Sequence, residues 1–125
     1  MKEKQISVFA ENKPGKLLSI VELLGDEEID IRAMSLADTA DFGIARMIVS
    51  DTDAALALLR ENGYAVKCTE VTALNMDDTP GGLSKILKIL ADNEISVEYL
   101  YAFAEKNGEK VVMRTDNPDK ADTLF

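Results

Sequence analysis

The sequence contains one local pattern twice, and this repeat limits the folds that the chain can form. Residues Glu11–Leu17 place a polar turn, a proline and a glycine before an apolar helical stripe, and residues Asp77–Leu83 repeat that order. The two copies lie 66 positions apart, the offset from Pro14 to Pro80 (80 − 14). Matches continue along the chain at the same offset, which indicates an internal duplication of one folding unit.

The first copy is predicted to contain strands and helices in the order β-α-β-β-α-β. Apolar residues recur at helical spacing after the loop, and a polar cluster at residues 50–53 is typical of a second helix start. The predicted strands are Gln5–Ala10, Ile29–Leu36, Phe42–Val49 and Ala65–Glu70, with a turn at Thr39–Asp41 and a second helix over Ala54–Asn62. This order predicts an α+β fold of tandem ferredoxin-like βαββαβ units.

The predicted domains are residues 1–70 and 71–125, and the second unit is expected to be truncated at its C-terminus. The counterpart of the helix end at Asn62 would fall at position 128 (62 + 66), beyond Phe125. The second unit would therefore lack most of its last helix and its last strand. Its first strand, Val71–Met76, is expected to have an open edge, which tends to recruit another strand. A shortened protein and a strand from a partner chain are the two explanations.

The composition argues against several classes of site. The chain has no histidine, the commonest general base and a common zinc ligand, so we expect no metal, no cofactor and no catalysis. A net charge of −9 disfavours nucleic acid, and the short apolar runs predict no membrane span. One cysteine without a secretory signal predicts a cytoplasmic protein, with Cys68 as a buried small hydrophobe. An acylphosphatase would need an arginine in its phosphate loop, and neither loop contains one.

The groups in and near the first loop suit a free α-amino acid. The start of a helix presents unpaired N–H groups that attract a carboxylate. Gly15 lets a ligand approach the backbone, and Asn12 both donates and accepts hydrogen bonds. Asp30, at the start of the next strand, has the charge to bind an ammonium group. The alternative is structural, with Asn12 capping the helix, Gly15 forming the turn and Asp30 in solvent.

The first loop, with its helix stripe and the following Glu28–Ile31 segment, resembles the ACT domain family. It is similar to small bacterial tandem-ACT proteins and to the regulatory domain of phosphoglycerate dehydrogenase. The resemblance implies a non-catalytic regulatory protein that binds an amino acid between ACT units, at the first loop of one and the second strand of its neighbour. Separately, the sheet face that the helices leave uncovered favours packing between units or a homodimer. The binding positions carried over are Asn12, Gly15, Lys16, Leu17, Asp30 and Ile31.

The second copy departs from this pattern at two positions, because Asp78 replaces Asn12 and Ser96 replaces Asp30. Asp78 would repel a ligand carboxylate unless it faced the ammonium group. A possible second site comprises Asp78, Gly81, Gly82, Leu83 and Ser96. The alternative function is a protein-interaction or oligomerisation module without a small-molecule ligand.

The second copy also has three aromatic residues where the first has small ones. Tyr99, Tyr101 and Phe103 alternate along its second strand and are predicted to share one face. They are expected either to cover their own sheet or to pack against another unit.

Overall fold

The computed structural model describes residues 1–38, 42–106 and 108–125 and confirms the α+β fold. The predicted turn at Thr39–Asp41 lies outside these residues. The elements are β1 (Lys2–Glu11), α1 (Lys16–Asp26), β2 (Ile31–Asp38), β3 (Phe42–Val49), α2 (Thr52–Glu61), β4 (Ala65–Met76), α3 (Gly82–Asp92), β5 (Val97–Glu105), β6 (Gly108–Thr115) and α4 (Pro118–Thr123). They form two compact units, one of residues 4–69 and one of residues 1–3 and 70–125, called the N-terminal and C-terminal units below.

The N-terminal unit has an antiparallel sheet in the order β2-β3-β1-β4. Ile6 on β1 and Met34 on β2 both lie beside Met47 on β3, which sets the register of the first three strands. Helices α1 and α2 bury one stripe each against the sheet. The buried core consists of Ile6, Val8, Ala10, Ile20, Leu24, Ile29, Ala45, Met47, Val49, Ala55, Leu56 and Leu59.

Helix α2 begins and ends as the sequence predicts. The Asp51 carboxylate accepts a hydrogen bond from the Ala54 N–H at 3.1 Å and caps the first turn. Gly63 follows the helix with φ 83°, and the Tyr64 N–H donates to the Leu59 carbonyl at 3.0 Å. This is the common glycine-dependent ending of a helix, and it fixes the position of the segment leading into β4.

The C-terminal unit repeats the arrangement with the order β1-β4-β6-β5, in which β1 contributes only its first residues. Its core consists of Leu74, Ile86, Leu90, Ile95, Val111, Met113 and Ala121. Tyr99, Tyr101 and Phe103 alternate with more exposed residues on β5, as predicted, and are half-buried. Tyr101 lies beside Val112, which is fully buried.

The prediction of two separate strands at Ala65–Glu70 and Val71–Met76 is wrong. Residues 65–76 form the single strand β4, and the boundary between the units falls within it, between Thr69 and Glu70. The segment contains no glycine or proline to interrupt a strand, so extended pairing continues through it.

The open edge expected along Val71–Met76 is occupied at Ala73 by the chain's own first residue. The Ala73 N–H donates to the Met1 carbonyl at 2.8 Å, and the Met1 amino group donates to the Ala73 carbonyl at 3.2 Å. The Lys2 ammonium also contacts the carboxylates of Asp119 and Glu70 and so ties the same segment to the C-terminal unit. A strand from a partner is therefore not required at Ala73.

Cys68 is exposed, so the prediction that it is a buried hydrophobe is wrong. Val66 and Cys68 share a face of β4, but the core of the N-terminal unit includes Val66 and ends before Cys68. Separately, no helix in the described part of the chain is long and apolar enough to cross a membrane.

Candidate functional site

The loop between β1 and α1 presents open backbone at a helix start. Gly15 is the N-cap with φ 84° and ψ −8°. This left-handed conformation is strained for residues with a side chain. A Cβ built on Gly15 would have no neighbouring atom within 4 Å among the described residues. The N-cap residue Gly15 has no side chain to cap α1, and the Lys16 N–H donates to the Lys13 carbonyl at 3.2 Å. The partial positive charge of the helix start is therefore carried by the N–H groups of the first turn after Lys16. The capping role considered for Asn12 stays a prediction.

A cavity of ≈ 150 Å³ lies beside this loop. It is lined by Ala10, Glu11, Asn12, Lys13, Leu17, Leu36 and Gly43. Two of the predicted residues, Asn12 and Leu17, thus line one cavity together with five residues that the sequence did not single out. One of these five residues follows from the strand pairing. The antiparallel register of β1 and β3 places Gly43 directly beside Ala10.

The charged groups of the loop form a local pair. The Lys13 ammonium lies 3.0 Å from the Glu11 carboxylate. This hydrogen bond from Lys13 is the main cause that lowers the pKa of the Glu11 carboxyl below 4.5, and the charges of Lys13 and Lys16 add to it. Glu11 is therefore a carboxylate at neutral pH, with two ammonium groups near it.

Asp30 and Ile31 lie at the other end of helix α1 from Gly15. The helix has 11 residues, so its ends are about 16 Å apart at 1.5 Å per residue. The Asp30 N–H donates to Ser50 Oγ at 2.9 Å, and the Ser50 N–H returns a bond to the Asp30 carbonyl at 2.9 Å. Within one unit, the structure does not bring Asp30 together with the loop.

Lys16 faces a second cavity, of ≈ 420 Å³, on the side of the loop towards the α2–β4 turn. Its lining consists of Phe9, Ala10, Glu11, Lys16, Phe42, Asn62, Gly63, Tyr64 and Ala65. The two cavities share only Ala10 and Glu11. The predicted site residues of this loop are therefore divided between two spaces.

The loop before α3 has the same backbone conformation but less room. Gly81 is its N-cap with φ 89°, and Gly82 follows at the first helical position. A Cβ on Gly82 would lie 2.2 Å from the Asp77 carbonyl oxygen, so the chain is folded tightly over this position. Asp78 is exposed on the loop, and Leu83 packs against the core of the C-terminal unit.

Ser96 is separated from the Gly81 loop, as Asp30 is from Gly15. Its N–H donates to Asp116 Oδ1 at 3.1 Å at the far end of α3. The structure thus does not bring all five residues of the possible second site together in one unit. In the described part of the chain, no group of His, Cys, Asp and Glu side chains is arranged to hold a metal ion.

The comparisons with known proteins concern the family and the fold of the chain. All of residues 1–125 match the sequence family described as an ACT domain pair. The chain belongs to the ACT domain family. A crystal structure of a protein from Bacteroides thetaiotaomicron resembles this ACT pair with 42% sequence identity and a TM-score of 0.93, over 99% of this chain and 86% of the other. Among curated proteins, no sequence matches the chain.

More distant structures show the same fold. The ligand-free regulatory subunit of aspartate kinase from Thermus thermophilus is 15% identical, with a TM-score of 0.67 over 97% of the ACT pair and 89% of that subunit. The corresponding subunit from Thermus flavus is 13% identical, with a TM-score of 0.65 over 99% and 92%. The tandem ferredoxin-like fold and the resemblance to the ACT family are thereby confirmed.

Proposed function

We propose that this ACT pair is a non-catalytic regulatory protein that binds a free α-amino acid at the β1–α1 loop of its N-terminal unit. The observation that carries the proposal is the ≈ 150 Å³ cavity lined by Asn12 and Leu17, next to the start of α1 at Gly15. The aspartate kinase subunits that share this fold are themselves called regulatory. Binding would shift the association of the ACT pair with a partner or with a second copy.

The groups around this cavity match the two charges of a zwitterion. The ligand carboxylate would accept hydrogen bonds from the Asn12 amide and from N–H groups of the first turn of α1 after Lys16, whose own N–H donates to the Lys13 carbonyl. Its ammonium group would face the Glu11 carboxylate, which Lys13 keeps ionised. Leu17 and Leu36 would contact the side chain. The volume is about that of five water molecules in the liquid, which favours a small amino acid.

Asp30 and Ile31 enter this proposal only as residues supplied by a second unit, as the family resemblance implies. A homodimer would provide such a unit, with the strand start of one copy facing the loop of another. The second-site residues would bind a ligand in the same way only with the ammonium group turned towards Asp78. If an Asp30→Ala variant binds the amino acid normally, Asp30 of a second unit is not part of the site. The proposal of binding at the cavity would still stand.

A thermal-unfolding screen of the twenty amino acids tests the proposal. A ligand present at 100 times its Kd is expected to add about 2.7 kcal/mol of stability. Gly43→Ala should reduce this shift, because the new Cβ would lie 3.2 Å from Leu36 Cδ1 and fill part of the cavity. If no amino acid at millimolar concentration raises the unfolding temperature, the binding proposal is wrong.

Gly15→Ala and Gly81→Ala form a matched pair for the same test. Both positions have nearly equal positive φ and nothing within 4 Å of a new Cβ, so each variant should lose about 1 kcal/mol of stability from backbone strain. Only Gly15→Ala places a methyl group beside the proposed site and should weaken binding. Equal loss of the ligand-induced shift in both variants would mean that the effect is not local.

The alternative is an interaction or oligomerisation module without a ligand. It is favoured by the exposed apolar side chains of Met34 and Leu36 on the edge strand β2. Under this alternative, sedimentation velocity would show self-association that no amino acid changes and that Leu36→Asp abolishes. Amino-acid-dependent sedimentation would support the regulatory proposal instead.

A further inference from the structure

The larger cavity of the N-terminal unit has aromatic walls that are half open to solvent. Phe9 and Phe42 are 45% and 53% exposed. The register pairs Phe9 with Ile44 and Glu11 with Phe42, so the two rings are diagonal neighbours on one face of the sheet. Tyr64 adds a third ring to the lining of this ≈ 420 Å³ space.

The wall opposite the loop is held by hydrogen bonds. The Gly63 N–H donates to the Arg60 carbonyl at 3.1 Å, and the Tyr64 N–H donates to the Leu59 carbonyl at 3.0 Å. The Asn62 side-chain amide donates to the Leu58 carbonyl at 2.8 Å. A ligand would therefore meet a largely formed surface at the α2–β4 turn, which lowers the ordering cost of binding.

The other copy of the repeat shows that the fold does not require these side chains. At the offset of 66 positions, Phe9, Lys16 and Phe42 correspond to residues 75, 82 and 108. Those positions hold asparagine, glycine and glycine, yet the helix start before α3 keeps the backbone angles of the start before α1. The two half-exposed phenylalanines are therefore specific to the N-terminal unit and are not required by the shared fold.

Lys16 provides the charge at one end of this cavity. Its ammonium group forms no ion pair with any described residue, and it acts on the Glu11 carboxylate only at longer range. The charge of Glu11 is offset by Lys13 at 3.0 Å. Within the described residues, Lys16 thus offers an ammonium group without an ion-pair partner beside three rings, which suits a carboxylate attached to an aromatic ring.

We propose that this cavity is a separate binding site for an aromatic monocarboxylate. The ring would lie against Phe9, Phe42 and Tyr64, and the carboxylate would accept a hydrogen bond from Lys16 Nζ. The site is independent of the amino-acid site proposed above, since the two cavities share only Ala10 and Glu11. Each of the two proposals can fail without the other.

Phenylacetate is the probe, and two-dimensional ¹H–¹⁵N NMR of the full chain is the measurement. Saturable shifts are expected at the backbone amides of Phe9, Lys16, Phe42 and Gly63 when phenylacetate is added. Acetate lacks the ring and phenethylamine lacks the carboxylate, so neither should reproduce these shifts. The spectrum of the unliganded protein also shows whether each variant below is folded.

Lys16→Met should weaken phenylacetate binding about tenfold, as expected for the loss of one charged hydrogen bond. Phe42→Gly, which introduces the residue of the twin copy, should weaken binding by removing one ring. Lys106→Met removes an exposed lysine of the C-terminal unit and should leave binding unchanged. Folded Lys16→Met that binds phenylacetate normally would overturn the inference.

Three other results would also contradict it. The first is the absence of shifts at about 10 mM phenylacetate, a concentration that would half-saturate a site with a Kd of about 10 mM. The second is a set of shifts at Asn12, Leu36 and Gly43 instead, which would place the probe in the smaller cavity. The third is a dependence of the Phe9 and Phe42 signals on protein concentration alone, which would make this face a contact between copies.

Discussion

The loops before α1 and α3 have one backbone and two different surroundings. Gly15 and Gly81 have φ of 84° and 89° and ψ of −8° and −3°, and both carbonyls accept a bond from the fourth residue onward, at 3.0 and 3.2 Å. The next residue differs between the loops. Lys16 has an exposed side chain, whereas the Asp77 carbonyl oxygen occupies the space that a side chain on Gly82 would need. The fold thus needs the first glycine in both units and leaves the second position free to differ.

The N-cap glycine is a requirement of the fold, whereas the residues around it differ between the two loops. The positive φ at the N-cap recurs because a residue with a side chain is strained there. The lysines of the first loop have no lysine counterparts, since Thr79 and Gly82 stand where Lys13 and Lys16 would be, and Asp77 pairs instead with Lys85 of α3 at 3.9 Å. The proposals for binding therefore concern the N-terminal unit.

The largest effect expected from this comparison is that of Gly82→Ala. The new Cβ would lie 2.2 Å from the Asp77 oxygen, and the atom in its way is backbone that cannot move alone. We expect a loss of about 3 kcal/mol in the free energy of unfolding, typical of severe overpacking. Denaturation in urea measures this loss.

Lys16→Ala is the matched control for Gly82→Ala. The position already holds an exposed side chain, so the stability should change by no more than about 0.5 kcal/mol. Similar stabilities for the two variants would show that the loops have equal room. The structural contrast between the units would then be incorrect.

The cores of the two units differ in one polar detail. Thr72 and Thr115 are 1% exposed, and their hydroxyls have no hydrogen-bond partner among the described residues. Their counterparts at the 66-residue offset are Ile6 and Val49, which are apolar and buried. At these two positions the C-terminal unit thus buries hydroxyl groups, whereas the N-terminal unit buries apolar side chains.

An exchange of these residues between the units should change stability in opposite directions. Val49→Thr should cost about 2 kcal/mol, because it buries a hydroxyl without a partner. Thr115→Val should raise the free energy of unfolding by about 1 kcal/mol, because it removes such a group at nearly constant volume. A destabilised Thr115→Val variant would mean that the threonine hydroxyl has a partner in solution.

Local signals in the sequence were sufficient for most of the fold. The repeat predicted the order of elements, and the polar residues at 50–53 predicted the start of α2, where Asp51 is the cap. The continuous strand β4 was missed because neither glycine nor proline marks the junction at Glu70, and the end of one unit and the start of the next both favour strand. The pairing of Met1 with Ala73 connects residues 72 positions apart, which no local pattern reveals.

The candidate site was less accessible to sequence reasoning, because a cavity depends on residues that are distant in the chain. Asn12 and Leu17 were predicted from the loop itself and line the smaller cavity, but Leu36 enters it from β2. Asp30 was selected for its charge, whereas the length of α1 separates it from Gly15. The chemical type of a residue therefore predicted which loop residues line the cavity, but not which residues from other elements join them.

The smallest expected effect concerns the ion pairs that join β1 to the last helix of each unit. Lys2 contacts Asp119, and its counterpart in the N-terminal unit is the longer pair of Lys4 with Asp53 at 3.9 Å. The hydrogen bond from Lys2 lowers the pKa of the Asp119 carboxyl below 3.8, and the same bond raises the pKa of Lys2 above 10.5. Both groups are at the surface, so the contribution to stability is small.

The direction of each pKa shift predicts the pH dependence. Because the pKa of Asp119 is lower in the folded state, its contribution is complete above about pH 4 and is lost as the pH falls through the folded value. The contribution of Lys2 is complete below its unfolded pKa and is lost as the pH rises through its folded value. Asp119→Asn should therefore flatten the acid side of a plot of unfolding temperature against pH more than Asp53→Asn does. Identical acid profiles for the two variants would mean that the Lys2 contact does not persist in solution, and the pairing of Met1 with Ala73 would then have to hold the strand without it.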